Sequence, residues 1–276
     1  MTLYSPFRFG LLGAVLIALS ACTTPGPGEV SSTGVFDPYE KGNRNVHAFN
    51  RGVDRAIFRP TARGFTRIVP DPIEDSFVNF SQNLSEPGDT VNFLLQGRLP
   101  EAGRSFGRFL FNSTFGLLGL LDPATEIGLG EADTNFGETL HVWGAQEGAY
   151  VELPFFGPST ERDAVGVLVD FFTNPLSFTL QNPVENVGVY AEIVERLSQR
   201  GRFSDTIDSI LYESADSYAQ SRLIYLQARR FELGGEGADG YIDPYLDPYA
   251  ELDGPGAADL SGQGTDIDPY EDLDAE

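Results

Sequence analysis

Apolar residues spaced three or four positions apart recur through the middle of this chain, and no stretch shows the sustained alternation that is typical of a half-buried strand. Residues 37–40, Asp-Pro-Tyr-Glu, combine a capping carboxylate, a proline at the first helical position and a glutamate in the first turn. The same start signal returns at 71–74 and, in shortened form, at 122–123. The sequence therefore predicts an all-α, multi-helix domain over residues 36–231.

The second half of this domain carries further helical patterns, one after Ser159, one over residues 184–197 and one predicted as a single long helix from about Ser204 to Phe231. Two apolar stretches fit a soluble bundle poorly. Residues 109–121 are too few to span a bilayer, but their apolar run is longer than one buried helix face requires. Residues 150–158 are predicted to form an apolar hairpin. Two interpretations explain these stretches equally well. They are either a core segment and a buried loop, or apolar surface in contact with acyl chains.

The chain is strongly acidic. Its formal charge is −23 at pH 7, and residues 232–276 hold fourteen acidic residues and no lysine or arginine. This argues against nucleic-acid binding, because a basic surface supplies most of that affinity. His47, His141 and the single cysteine, Cys22, have no metal-ligand spacing, so we predict no metal and no cofactor.

The cysteine lies directly after a short apolar segment. Arg8 precedes eleven apolar residues, 9–19, fewer than the roughly 20 that span a bilayer core, which is typical of a secretory signal. The segment Leu19-Ser20-Ala21-Cys22 resembles the lipobox of bacterial lipoproteins, in which the cysteine is acylated and becomes the first residue. The resemblance implies signal cleavage between Ala21 and Cys22 and lipid attachment at Cys22.

Two further expectations follow from this N-terminal segment. Residues 1–21 are predicted as the signal peptide, and residues 22–35, rich in Pro, Gly, Ser and Thr, as a flexible tether. The residue after the cysteine is Thr23, whereas an aspartate there commonly retains lipoproteins at the inner membrane. The lipobox resemblance therefore implies a lipid-anchored protein of the outer membrane that faces the periplasm.

The domain itself resembles the MlaA (VacJ) family of outer-membrane lipoproteins, strongly over residues 36–180 and more loosely to 231. Each matching motif is short, but their order and spacing together are specific. In chain order they are Asp37-Pro38-Tyr39-Glu40, Phe49-Asn50, Asn83-Leu84, Arg108-Phe109, Asn112-Ser113-Thr114-Phe115-Gly116, Leu121-Asp122-Pro123-Ala124, Asp133-Thr134-Asn135-Phe136-Gly137-Glu138-Thr139-Leu140, Trp143-Gly144, Leu153-Pro154, Gly157-Pro158-Ser159 and Arg162-Asp163.

The resemblance implies a ring-shaped helical domain in the periplasmic leaflet of the outer membrane, with an amphipathic channel. It further implies that misplaced phospholipids leave the outer leaflet through this channel and pass to a soluble periplasmic carrier of the MlaC type. The family also associates with trimeric porins, and no covalent chemistry is involved. The candidate lipid contacts are Phe115, Gly116, Leu117, Leu118, Gly119, Leu120, Leu121, Tyr150, Val151, Leu153, Phe155 and Phe156.

Arginines at 51, 55, 59, 63 and 67 recur every four residues. They suit phosphate headgroups, and a solvated helix face with nearby acids explains them equally well.

Two alternatives belong to other functional classes. Gly103-Arg104-Ser105-Phe106-Gly107 matches the G-x-S-x-G pattern of lipases and esterases, and Asp122 or Asp133 and then His141 follow in the order of that catalytic triad. The motif requires a strand before the serine, whereas residues 101–112 predict a continuous helix, so we predict no enzyme. The other alternative is a structural lipoprotein that only tethers its partners.

The last 45 residues, 232–276, are predicted to be disordered because they are acidic and rich in glycine and proline. Asp-Pro-Tyr recurs there at 243–245, 247–249 and 268–270. A flexible tail of this length is expected to reach a basic partner surface in the periplasm.

Overall fold

The computed structural model describes residues 24–26, 30, 34–173, 175 and 187–234. Cys22, the predicted signal peptide and the acidic tail from residue 235 onward lie outside the described residues. The expectations for these segments therefore stay predictions.

Helices dominate the described part of the chain, which confirms the predicted helical class. The elements are α1 (Glu40–Val53), a π-helical turn (Asp54–Phe58), α2 (Arg59–Ile68), α3 (Asp71–Leu95), α4 (Leu99–Phe115), α5 (Pro123–Glu126), α6 (Phe136–Val142), β1 (Tyr150–Leu153), β2 (Gly157–Thr160), α7 (Glu161–Thr173), α8 (Val187–Arg202), α9 (Ser204–Asp208), a second π-helical turn (Ser209–Glu213) and α10 (Ser217–Glu232). The strands form the predicted hairpin, an antiparallel pair with Tyr150 opposite Thr160.

The first helix begins later than its sequence signal predicts. Its capping position is Tyr39, and no side chain caps the helix there. The carboxylate of Asp37 instead accepts hydrogen bonds from Tyr218 and Arg222 of α10. Asp37 thus joins the two ends of the domain, and its predicted role as a helix cap is wrong.

The predicted helix from Ser204 to Phe231 is also interrupted. It consists of α9, the second π-helical turn and α10, with Ser214 in an extended conformation between them. Asp216 caps α10 by accepting a hydrogen bond from the backbone N–H of Ala219 at 3.1 Å, and it pairs with Arg44 of α1 at 2.8 Å. This cap and ion pair fix the break, which apolar spacing alone does not reveal.

Helix α3 continues through Pro87, whose missing N–H leaves the carbonyl of Asn83 without its helical donor. Helix α4 follows after only three residues, 96–98, and packs along α3. Helices α6 and α7 approach closely at Gly166, where a Cβ atom would lie 2.4 Å from the backbone nitrogen of Gly137. Together these pairs frame the loops described below.

The distribution of polar and apolar side chains is unusual for a protein in water. Among the described residues, thirteen hydrophobic residues are buried, whereas thirty-one large hydrophobic residues are exposed. The buried interior includes charged side chains such as Arg108 and Glu74. Where exposed apolar side chains adjoin one another, as at residues 115, 117, 118, 120 and 121, they form the kind of surface that marks membrane or protein contacts.

Within the part of the chain that the structure describes, no helix has both the length and the apolar character needed to cross a bilayer.

Candidate functional site

The loop between α4 and α5, residues 116–121, presents large apolar side chains to the outside. Leu117 is 66% exposed and Leu118 is 71% exposed, with backbone φ angles of 54° and 63°. The left-handed conformation costs an L-residue about 1–2 kcal/mol. Strain and apolar exposure both raise the free energy of this segment in water, which favours an apolar environment around it. We call residues 116–121 the leucine loop.

Polar groups underneath hold the leucine loop in this conformation. The side chain of Asn112 donates to Asp122 at 2.8 Å and accepts from the backbone N–H of Ala124 at 3.0 Å. The N–H of Gly119 donates to the carbonyl of Asn112 at 3.0 Å. A Cβ atom at Gly119 would lie 2.5 Å from Asn83 Nδ2, so the loop closes onto α3 only with glycine there.

Arg108 is the centre of this supporting network and is only 2% exposed. Its Nε donates to Glu86 Oε1 at 2.6 Å, and its Nη2 lies 3.2 Å from Asp122 and 3.5 Å from Glu131. Its Nη1 donates to Thr125 Oγ1 at 2.9 Å. One guanidinium thus joins α3, α4 and α5 below the leucine loop.

The carboxylates around Arg108 outnumber it. We call Glu86, Asp89, Asp122, Glu131 and Asp133 the acidic cluster. Glu86 and Asp89 are buried, whereas Glu131 and Asp133 are exposed, so the cluster extends from the interior to the surface. Burial, and next the negative charges of Glu86 and Asp133, raise the pKa of Asp89 to about 8.

The tip of the hairpin is a second exposed apolar feature. Phe155 is 63% exposed and has a positive φ of 67°. Asn50 of α1 holds this turn, since its side chain donates to the carbonyl of Leu153 at 2.9 Å and accepts from the N–H of Phe155 at 2.8 Å. Phe49 packs edge-to-face on Phe155 with ring centroids 5.3 Å apart. The paired motif Phe49-Asn50 therefore positions the hairpin tip.

A cavity of about 200 Å³ lies behind the hairpin tip. Phe155 and Phe156 form its apolar side, and His47 and Glu152 are among its polar residues. His47 Nδ1 lies 3.2 Å from Glu152 Oε1, and both side chains are buried. Ligand pockets usually measure roughly 300–1,000 Å³, so this amphipathic cavity is too small for a whole phospholipid and suits part of one.

The row of arginines is mostly engaged by the protein itself. Arg59 and Arg63 each lie 2.6 Å from Asp208 Oδ2, and Arg55 stacks 4.9 Å above the ring of Tyr212. Arg67 lines a wider cleft of about 720 Å³ together with Arg63. The pairing with nearby acids explains Arg59 and Arg63 without a headgroup.

The sequence matches one family model over nearly all of the described helical domain. The model is that of the MlaA lipoproteins, and it matches residues 35–232. The chain belongs to the MlaA lipoprotein family.

Individual relatives within the MlaA family agree with this assignment. The chain is 34% identical over 248 residues to the intermembrane phospholipid transport system lipoprotein MlaA of Escherichia coli, which covers 88% of this chain and 94% of that protein. It is 35% identical to the protein of the same name from Haemophilus influenzae, over 71% of this chain and 79% of that protein. An uncharacterised protein of Rickettsia prowazekii is also 35% identical, over 71% of this chain and 77% of its own length.

A solved structure from work on the structural basis for maintenance of bacterial outer membrane lipid asymmetry has a similar fold. The TM-score is 0.62 at 34% sequence identity, and the match covers 71% of this chain and 98% of the solved chain. The fold of the helical domain is therefore that of this MlaA-family structure.

Within this MlaA-family fold the predicted lipid contacts differ in their exposure. The exposed ones are Phe115, Leu117, Leu118, Leu120, Leu121, Phe155 and Phe156, while Val151 and Leu153 are half-buried. Tyr150 is only 1% exposed because it packs in the core with Val35, Tyr218 and Leu226, so the structure separates it from the exposed residues of this set. Gly116 and Gly119 are also buried, where they let the leucine loop fold over Asn112 and Asn83.

The hydrolase alternative has no geometric support in this fold. Ser105 lies in the interior of helix α4, is fully buried, and follows a helix rather than a strand. The sharp strand-to-helix turn that exposes a serine nucleophile is therefore not formed at residues 103–107. His141, the proposed base, contacts Arg162 at 3.3 Å. The named MlaA relatives are transport lipoproteins.

Sequence reasoning missed the roles of Asn50, Arg108 and the acidic cluster, although it recorded the motifs that contain the first two. A signal for the cluster was present at Glu86 and Asp89, two acids three residues apart that share one helix face. The burial of Glu86 and Asp89 depends on the tertiary fold. So does the position of Glu131 and Asp133 in the same cluster.

Replacing Asp89 with asparagine is expected to raise the free energy of unfolding by about 2 kcal/mol at pH 8 and to change it little at pH 4. The raised pKa means that the folded protein keeps a proton which the unfolded chain has lost, so wild-type stability falls as the pH rises from about 4 to about 8. Asparagine does not titrate. Urea denaturation at both pH values measures the difference, with Glu213→Gln as an exposed control, and parallel pH profiles for wild type and variant would contradict the prediction.

Proposed function

We propose that this protein is a lipid-anchored component of the outer membrane, on its periplasmic face, that removes misplaced phospholipids from the outer leaflet. The lipid passes along an amphipathic path in the helical domain to a soluble periplasmic carrier of the MlaC type, which maintains lipid asymmetry. Membership of the MlaA family and the names of its relatives support this proposal.

The observation that carries the proposal is the inverted distribution of side chains. Many leucines and phenylalanines are exposed, while Arg108 and its partner Glu86 are buried. Burial of apolar surface in acyl chains stabilises a protein by roughly 25 cal/mol per Å², so a membrane is the environment that favours this surface. The polar interior offers hydrogen-bonding groups to a phospholipid head, which cannot shed its hydration without them.

The anchor and the partners complete the proposal. Acylation at Cys22 holds the domain at the membrane, since more than one acyl chain makes anchoring stable. A trimeric porin is the proposed membrane partner. The acidic tail is proposed to contact a basic surface of the carrier, and deletion of residues 234–276 should then weaken carrier binding.

The experiment that tests the proposal is lipid transfer from vesicles. The acylated protein in vesicles should transfer labelled phospholipid to a soluble carrier at a rate that increases with protein concentration. Carrier binding without lipid transfer would favour the tethering alternative and contradict the proposed function.

Leu118→Gly tests the leucine loop as a membrane contact. Relief of the left-handed strain offsets the extra chain entropy of glycine, so the free energy of unfolding in water should change by less than about 1 kcal/mol. The lost side chain should weaken vesicle binding roughly tenfold, from about 1.5 kcal/mol of apolar burial. Flotation of the chain from Thr23 onward, without its acyl anchor, measures this.

A matched control for this variant is Phe231→Ala, which removes an apolar side chain of 78% exposure outside the predicted contacts. Equal loss of vesicle binding in both variants would show that the leucine loop has no special part in membrane contact.

Ser105→Ala separates transport from hydrolysis. The substitution removes a buried hydroxyl from the interior of α4, and lipid transfer should be unchanged. If a stable and correctly located variant lost lipid transfer, the esterase alternative would return.

A further inference from the structure

The cleft that Arg63 and Arg67 line has the size of a ligand site. It lies between α2 and the junction of α8 and α9 and measures about 720 Å³, within the roughly 300–1,000 Å³ that is usual for ligand pockets. Thr66 and Ser204 add hydroxyl groups to its lining. We call it the arginine cleft.

Two glycines shape the arginine cleft, Gly64 and Gly201, and both line it. A Cβ atom at Gly201 would lie 2.3 Å from Thr66 Cγ2, so the end of α8 approaches α2 this closely only with glycine there. A Cβ atom at Gly64 would meet no heavy atom within 4 Å. The space beside Gly64, which lies between Arg63 and Arg67 in the chain, is therefore open to a ligand.

Positive charge exceeds negative charge beside the cleft. Arg59, Arg63 and Arg200 each lie 2.6 Å from a carboxylate oxygen of Asp208, so three guanidinium groups share this one acid. Arg200 also pairs with Asp54, but its buried Nη1 has no hydrogen-bond partner among the described residues. Two aspartates thus face three arginines at the base of α2.

Arg67 is a fourth arginine, and it has no such pairing. It is exposed, and within the described part of the chain it makes no ion pair and no side-chain hydrogen bond. The acid in the cleft lining is Asp205, whose Oδ1 accepts from the hydroxyl of Ser204 at 3.5 Å. The guanidinium of Arg67 therefore keeps its N–H donors in a planar fork, a geometry that matches two oxygens of a phosphate.

Exposed apolar side chains adjoin the arginine cleft. Ile68, which follows Arg67, is 81% exposed, and Phe203, which precedes Ser204, is 60% exposed. Free phosphate would contact the arginines and leave these side chains in water. A phospholipid would contact both, because its acyl chains cover apolar surface while its phosphate meets the guanidinium groups.

We propose that the arginine cleft binds the phosphate group of a phospholipid, with Arg67 as the principal donor and Arg63 as a second positive charge beside it. The inference rests on the proposed function and adds a headgroup site to it. This site is formed by residues other than those of the leucine loop and the hairpin tip.

Calorimetric titration of the chain from Thr23 onward, without its acyl anchor, tests this site with three probes. They are dihexanoyl phosphatidylcholine below its micelle concentration, inorganic phosphate, and octyl glucoside, which has an apolar chain and no phosphate. The wild-type protein should bind phosphatidylcholine more tightly than either other probe. Arg67→Gln should weaken this binding on the order of tenfold, the effect of one charge-assisted hydrogen bond. Arg104→Gln, which removes an exposed arginine from α4, should leave it unchanged.

Gly64→Glu is a second test, which adds an acid instead of removing an arginine. The new side chain has room at this position and lies three residues before Arg67, so it should pair with Arg67 and also weaken phosphatidylcholine binding. Gly42→Glu on α1, where a Cβ atom likewise meets no heavy atom within 4 Å, is the matched control and should have no effect.

Unchanged phosphatidylcholine binding in either variant, with the fold confirmed by circular dichroism, would overturn the inference. Equally tight binding of inorganic phosphate would assign the cleft to free phosphate, and equally tight binding of octyl glucoside would show apolar contact alone; both results contradict the proposal. The transfer assay separates this inference from the proposed function. Transfer by a protein whose lipid binding does not depend on Arg67 contradicts only the inference, and Arg67-dependent binding without transfer contradicts only the proposed function.

Discussion

Arg108→Met is expected to lower the free energy of unfolding by about 3–5 kcal/mol, because it leaves Glu86 and Asp122 without their buried counter-charge. Methionine fills much of the same volume, so the loss reflects charge rather than an empty cavity. Urea denaturation measures it. Hydrogen exchange in the leucine loop should also accelerate, since Arg108 supports Asp122 below that loop.

Arg104→Met is the matched control for this prediction. Arg104 lies one turn earlier on α4, is exposed and has no ion pair among the described residues, so its replacement should change stability by less than about 0.5 kcal/mol. Adding Glu86→Gln to Arg108→Met should recover part of the loss. Equal effects of the two arginine substitutions would show that the buried network does not stabilise the fold.

Cys22→Ala is expected to abolish outer-membrane retention and, with it, lipid transfer in cells. Without the cysteine there is no sulfur to acylate, and the apolar run of residues 9–19 is too short to span a bilayer. Membrane fractionation and incorporation of labelled palmitate measure the two steps. Thr23→Ala should leave both unchanged, and a Cys22→Ala protein that stays in the outer membrane and transfers lipid would contradict the lipobox prediction.

The elements that the sequence predicts best are those with local signals. Apolar spacing predicts α3 and α8, and the prolines and glycines around residues 150–158 predict the hairpin. Asp122 caps α5 as its sequence indicates, accepting from the N–H of Thr125. Each of these depends on residues within a few positions of one another.

The features that sequence reasoning misses depend on distant partners. Asp37 does not cap α1 because its carboxylate accepts hydrogen bonds from Arg222 and Tyr218. These partners lie 185 and 181 residues away in the sequence. Tyr150 lies inside because α10 packs against β1, although the same apolar stretch also supplies the exposed Phe155. The left-handed leucines at 117 and 118 contradict local preference, and hydrogen bonds to Asn112, Ser113 and Asn83 are among the contacts that maintain them.

The placement of charged groups inside and apolar groups outside has a consequence for how this sequence can vary. In a water-soluble protein, interior positions exchange one hydrophobic residue for another, and outer positions accept almost any polar residue. Here the order is expected to reverse: outer positions such as Leu117, Leu118 and Phe156 should exchange freely among apolar residues and reject charge. Interior positions such as Glu86, Arg108 and Asn112 should accept almost no replacement. In a saturation library selected for function, we then expect the outer positions to retain mainly apolar residues and these interior positions to retain mainly their original polar residues.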